Sequence, residues 1–134
     1  ELSTPGKDTA IMVMGHGSRL DFNSDVVKLN ADRLRARGYK RVYVGYNEFN
    51  EPKIEDVVPK IIDDGAEEIV AIPMFISLGK HLTMDVPGKL GIEDFSDGGI
   101  LHRNGRDVEL KYAVPLGGDP RLCDVLVEKL RKYE

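Results

Sequence analysis

Four short apolar runs, Ala10–Met14, Val42–Tyr46, Glu68–Pro73 and Val108–Val114, punctuate the chain, and the stretches between them carry helical periodicity. Strand-length runs alternating with amphipathic helical segments are the pattern of repeated βα units. Such units build a parallel sheet covered by helices. The expectation is an α/β fold: one open sheet of four mainly parallel strands, with helices on both faces in a flavodoxin-like arrangement. After Pro52, Ile54, Val57, Val58, Ile61 and Ile62 recur at helical spacing, and Gly65 supplies a stop. Pro59 inside this run predicts a kink or a later start. In the last helix Asp119 caps, Pro120 fits the first turn, and Leu122, Val125, Leu126 and Leu130 form one stripe expected in the core. A first helix from about Asp21 to Arg37 turns Val26, Val27 and Leu34 inward and ends on Arg33, Arg35 and Arg37 before Gly38.

One stretch breaks this rhythm. Gly91–Asp107 is polar and rich in Gly and Asp, with neither strand nor helix pattern, and reads as an insertion that is disordered or a mobile flap. Glu1–Thr9, with Pro5 and Gly6, reads as a loose leader without the features of a signal peptide. A chain of 134 residues, 41% of them hydrophobic, builds one core, so residues 1–134 are expected to form a single domain. With 19 basic against 23 acidic residues the net charge is -4, which offers no general attraction to nucleic acid or an anionic membrane. The apolar runs are far shorter than the roughly 20 residues that span a bilayer. The single cysteine, Cys123, excludes an intramolecular disulfide and reads as a small buried hydrophobe, and the cytoplasm is the expected compartment.

In open α/β sheets ligands bind beyond the carboxyl ends of the strands. There the sequence places Gly15-His16-Gly17-Ser18-Arg19 after the first strand, Asn47 to Pro52 after the second, and Met74 to His81, then Asp85 and Pro87, after the third. The glycines beside His16 allow close backbone approach and leave the imidazole pointing out of the turn. His81 lies far along the chain, yet neighbouring parallel strands one and three would bring the two loops together. Neutral imidazole suits cobalt, nickel, iron and zinc and also accepts a proton. Taken singly, each residue has a bland alternative: a surface histidine, Glu48 and Glu51 as solvated turn and helix-start acids, and His102 as an exposed loop residue. GHGSR is neither a phosphate loop nor a dinucleotide turn. Ser18, His16 and Asp85 have the residue types of a hydrolytic triad, but no nucleophile elbow presents the serine.

Four landmarks run nearly end to end: GHGSR at residues 15–19, NEFNEP at 47–52, PMFISLGKHLTMDVP at 73–87 and PLGGDPRL at 115–122. In these the sequence resembles the small archaeal sirohydrochlorin cobalt and nickel chelatases, the short class II chelatases. The resemblance implies insertion of cobalt(II) or nickel(II) into sirohydrochlorin, in the anaerobic cobalamin route or toward the nickel coenzyme of methanogenesis. The metal is a substrate, and no cofactor is permanently bound. It implies that His16 and His81 hold the metal, that His16 also accepts ring protons, and that Glu51 and the segment Ile76, Ser77, Leu78, Gly79, Lys80 and His81 contact the macrocycle. Arg19, Lys80 and Lys89 are the nearest expected cations for the substrate's carboxylates. One such domain gives one wall for a flat ring, so a homodimer is expected. The competing readings are a non-catalytic flavodoxin-like module binding an anion or nucleotide, and a metal-trafficking protein using His16, His81 and His102.

Overall fold

A computed structural model describes residues 8–76, 86–92 and 98–134. Five strands form one sheet in the order β2-β1-β3-β5-β4: β1 (Thr9–Gly15), β2 (Val42–Tyr46), β3 (Glu68–Pro73), β4 (Gly99–Arg103) and β5 (Arg106–Tyr112). The first three and β5 are mutually parallel, and β4 is antiparallel to β5. Helix α1 (Phe22–Ala36) follows β1, and α2 (Ile54–Asp63) follows β2. Residues 86–90 are helical, a 3-10 turn spans Leu116–Gly118, and α3 (Arg121–Arg131) ends the chain.

Strand β1 is flanked on both sides and apolar from Ala10 to Met14, as a strand covered on both faces must be. Its alternate residues divide the core. Ala10, Met12 and Met14 meet Ile54, Val57, Val58, Ile61 and Ile62 of α2, whereas Ile11 and Val13 meet Val27 and Ala31 of α1. The helical segment 86–90 adds Val86 and Leu90 to the α2 side. Helix α2 begins at Ile54 and runs through Pro59, so the later start expected from that proline does not occur.

The fold class is the expected one, with five strands in place of four. The fifth lies in the stretch read as an irregular insertion. Asn104 and Gly105 both have positive φ, 52° and 76°, and join Arg103 to its partner Arg106 as a two-residue hairpin. Asn-Gly is the preferred sequence for that turn. The polar composition hid it because β4 is an edge strand with one buried side chain, Leu101. Thr9, assigned to the leader, already belongs to β1, and Asp8 pairs with Arg41 at 3.0 Å. In α1, Val26 faces solvent, Ser24, Val27 and Ala31 are buried, and Leu34 packs half-buried against the same core as expected.

The larger departure is α3. Its stripe was expected in the core, yet no residue of the helix is buried, and Val125, Leu126 and Leu130 are 50%, 56% and 66% exposed. Cys123 is exposed with them. The start is as expected: the Asp119 carboxylate accepts the Arg121 backbone N–H at 2.9 Å and pairs with its guanidinium, which holds Asp119 down at about 2.

The far end of the sheet is tied by polar contacts. Buried Glu68 pairs with Lys111 at 2.7 Å and accepts from Thr9 at 2.9 Å. The Tyr43 hydroxyl donates to Asp64 at 2.8 Å, and burial with that hydrogen bond pushes its pKa up to about 12. A phenol whose folded pKa lies above the unfolded value near 10 contributes stability below pH 10 that is lost as pH rises toward 12. Tyr43→Phe is therefore expected to show a shallower fall in urea midpoint between pH 10 and 12 than the wild type. Parallel falls would contradict this.

Candidate active site

The carboxyl ends of β1, β2 and β3 lie together, and the loops leaving them are laced by backbone bonds. Asn47 N–H donates to Gly15 O at 3.0 Å, Glu48 N–H to His16 O at 3.1 Å, and Met74 N–H to Met14 O at 2.8 Å. Side chains close the remaining gaps. Asn23 Oδ1 accepts Gly17 N–H at 2.8 Å, and Asn50 Oδ1 accepts Ser18 N–H at 2.9 Å. Gly17 has φ +86°, and a Cβ there would stand 1.8 Å from the Glu48 carbonyl oxygen. Glycine is thus required twice over, by conformation and by contact. The result is a turn from which His16 projects, exposed, with its ring edge-on to Phe75 at 6.2 Å between centroids.

The segments that follow β1, β2 and β3 also carry exposed apolar side chains. Leu20, Phe22, Phe49 and Ile76 are 65%, 74%, 53% and 62% exposed. Phe49 takes φ 67°, and Arg19 stacks over its ring at 5.4 Å. A non-glycine residue held in that region marks a site where surrounding contacts override local preference. Exposed rings and aliphatic chains gathered on one rim fit the face of a flat apolar ligand.

Of the expected site residues, His16 and Ile76 share this rim. Ser77, Leu78, Gly79, Lys80 and His81 lie outside the described residues, as does Asp85. The described residues on either side are held near the rim. Ile76 follows Phe75, and Lys89 of the 86–90 helix donates to Asn47 O at 2.7 Å and to Asn47 Oδ1 at 2.9 Å. Neighbouring β1 and β3 are as the sequence required. Glu51 is exposed and pairs with Lys53 at 2.7 Å. Lys89, expected as a cation for substrate, is instead half-buried and spends two donors on Asn47. His102 is exposed on β4 beside Asp107, 2.6 Å away and remote from His16 in the sheet order. Among the described residues no group of three or more His, Cys, Asp or Glu gathers to hold a metal.

Sequence reading passed over Phe75, Phe49 and Asn47. All three lay within the family landmarks without a role. Asn47 is 1% exposed, and its Nδ2 finds no acceptor among the described residues. A buried amide normally has one.

A family model described as CbiX matches residues 10–133. The chain belongs to the CbiX family. It is 36% identical over 124 residues to the sirohydrochlorin cobaltochelatase of Methanosarcina acetivorans, covering 91% of this chain and 94% of that one. It is likewise 36% identical over 138 residues to the sirohydrochlorin cobaltochelatase of Methanococcus maripaludis, covering 90% and 96%. The fold matches a multi-domain protein of Deinococcus radiodurans with structural similarity to chelatases, at TM-score 0.77 and 24% identity, over 96% of this chain but 29% of that one. It also matches SirB of Bacillus subtilis with Fe3+, at TM-score 0.75 and 20% identity, over 94% and 47%. At those identities the structural likeness is one of fold. The small class II chelatase resemblance of this CbiX chain is thereby borne out. Among its described residues no helix is long and apolar enough to cross a membrane.

The laced turn yields a direct test. Gly17→Ala forces a left-handed alanine and pushes Glu48 away, and is expected to cost at least about 1–2 kcal/mol in urea unfolding. An unchanged midpoint would contradict the packing of the two loops.

Proposed function

We propose that this CbiX-family chain inserts cobalt(II) or nickel(II) into sirohydrochlorin, using His16 and His81 to hold the incoming ion. The observation that carries the reading is the exposed imidazole of His16, projecting from a turn held by backbone and asparagine hydrogen bonds at the carboxyl ends of the parallel strands. Its relatives' names support sirohydrochlorin as substrate and, of the two metals, cobalt. The metal is consumed as substrate, and no resident cofactor is invoked.

An insertase must give its ion up to four ring nitrogens, so a closed four-ligand cage would be counterproductive. Two imidazoles suffice as a handle. As the ion enters, two ring N–H protons leave. In its neutral form His16 accepts one of them, general-base help of about 10²–10⁴ in rate. Leu20, Phe22, Phe49 and Ile76 offer apolar surface to the macrocycle, and residues 77–81 with Glu51 complete the contact. For Glu51 to take a proton or a substrate group it must exchange its pairing with Lys53. Arg19 and Lys80 are the cations assigned to the substrate's carboxylates, and Lys89 is withdrawn from that role. One rim covers one face of the ring, so the working form is a homodimer, acting in the cytoplasm on the cobalamin route or the nickel coenzyme of methanogenesis.

Anaerobic sirohydrochlorin mixed with cobalt(II) or nickel(II) reports metallation by absorbance. Wild type is expected to accelerate it, and His16→Ala and His81→Ala each to lose roughly 10²-fold or more. A folded wild type that gives no acceleration would contradict the proposal and favour a non-catalytic binding module. Metal bound without turnover would favour trafficking.

A further inference from the structure

Residues 48 and 50 both grip the turn that carries His16. Glu48 N–H donates to His16 O at 3.1 Å, and Asn50 Oδ1 accepts Ser18 N–H at 2.9 Å. Phe49 has to bridge them, and it does so with φ 67° while Asn50 N–H turns back onto Glu48 O at 2.7 Å. A three-residue γ-turn with positive φ is rare and strained. Glycine meets it at little cost, whereas a residue with a bulky ring does not. Burial does not offset the strain, because Phe49 remains 53% exposed. What its ring meets is the Arg19 guanidinium, 5.4 Å from the centroid. Arg19 is itself exposed. Arg35, Arg41 and Arg103 each pair with a carboxylate, whereas no carboxylate among the described residues pairs with Arg19. A strained backbone thus presents an aromatic face to an unpaired cation.

We propose that Phe49 is a positioning residue for substrate: its ring holds the Arg19 guanidinium so that the N–H donors meet a peripheral carboxylate of the tetrapyrrole. The inference rests on the reading that sirohydrochlorin binds this rim, and it adds a residue that favours carboxylate at the ring edge. A guanidinium carries its donors in its plane, so stacking on an aromatic ring occupies a face and leaves the donor edge open to a carboxylate. An exposed arginine on its flexible stem loses rotamer freedom when it binds. A ring contact made beforehand reduces that loss. The placement follows from the lacing of the loops. Arg19 lies three residues beyond His16, and Phe49 follows the residue bonded to His16 O. The anchor therefore stands on the same turn as the imidazole that holds the metal. A peripheral carboxylate keeps its charge while the ion enters the centre of the macrocycle, so the contact is equally strong before and during insertion. Such an interaction lowers the substrate Kd more than it raises turnover.

Quenching of sirohydrochlorin fluorescence under anaerobic, metal-free conditions reads binding, and urea unfolding reads the fold. Phe49→Trp keeps a ring face and is expected to bind within about twofold of wild type. Phe49→Leu keeps apolar surface without a ring face and is expected to bind ~5-fold or more weakly. Phe49→Gly relieves the turn, so its urea midpoint is expected above that of Phe49→Leu, yet its binding is at least as weak. Arg19→Gln is expected to lose ~10-fold or more. Combined with Phe49→Leu it is expected to lose less than the product of the two single losses. In Phe49→Leu and Arg19→Gln, metallation at saturating sirohydrochlorin is expected to fall by a smaller factor than binding. Full affinity in Phe49→Leu would overturn the proposal. So would a double loss equal to the full product, since ring and guanidinium would then act separately. A wild type that does not bind sirohydrochlorin overturns the proposal together with the reading beneath it. A wild type that binds with this pattern of variants but does not metallate supports the positioning role and overturns the chelatase reading alone.

Discussion

Two backbone hydrogen bonds between successive crossover loops, Asn47 to Gly15 and Glu48 to His16, hold the rest of the site in place. They form only because residue 17 has no Cβ to meet the Glu48 carbonyl. With the loops joined, His16 is fixed by its neighbours' main chain, leaving its ring for a ligand. Asn23 and Asn50 take up Gly17 N–H and Ser18 N–H, so the turn needs no contact from the imidazole itself. A metal handler benefits from that division, because a ligand that also serves as structure cannot release its ion without disturbing the fold.

The same lacing extends to the third loop through Lys89. Its ammonium bridges the carbonyl and side chain of Asn47, tying the 86–90 helix to the loop that supports His16. Sequence inspection treated Lys89 as a free cation because charge is visible in a sequence and a buried partner is not. Phe49 escaped attention for a related reason. Its left-handed backbone and its stacking under Arg19 arise from loop closure, which periodicity does not report.

Much of the remainder was legible. The runs at Val42–Tyr46 and Glu68–Pro73 became strands with those bounds, and Ile54, Val57, Val58, Ile61 and Ile62 became the buried face of α2. Local patterns sufficed there because each element packs on its sequence neighbours. The reading failed where the decisive partner was distant or missing. Leu101 gains its place from pairing with β5, so β4 looked like an insertion. The α3 stripe reads as a core face by its spacing, yet no residue of that helix is buried, because periodicity reports an amphipathic face and not what covers it. The rim was legible as a set of loops, with the order of β1 and β3 inferred from parallel pairing. Residues 77–81 were expected there only through the family resemblance, and they lie outside the described residues.

With only three histidines in the chain, the imidazole nitrogens can be followed individually. The most direct test is the long-range 1H–15N spectrum of the protein during titration with paramagnetic cobalt(II). The account predicts that His16 and His81 signals broaden together at substoichiometric metal while His102 beside Asp107 persists. Broadening of His102 with His16 unchanged would contradict it.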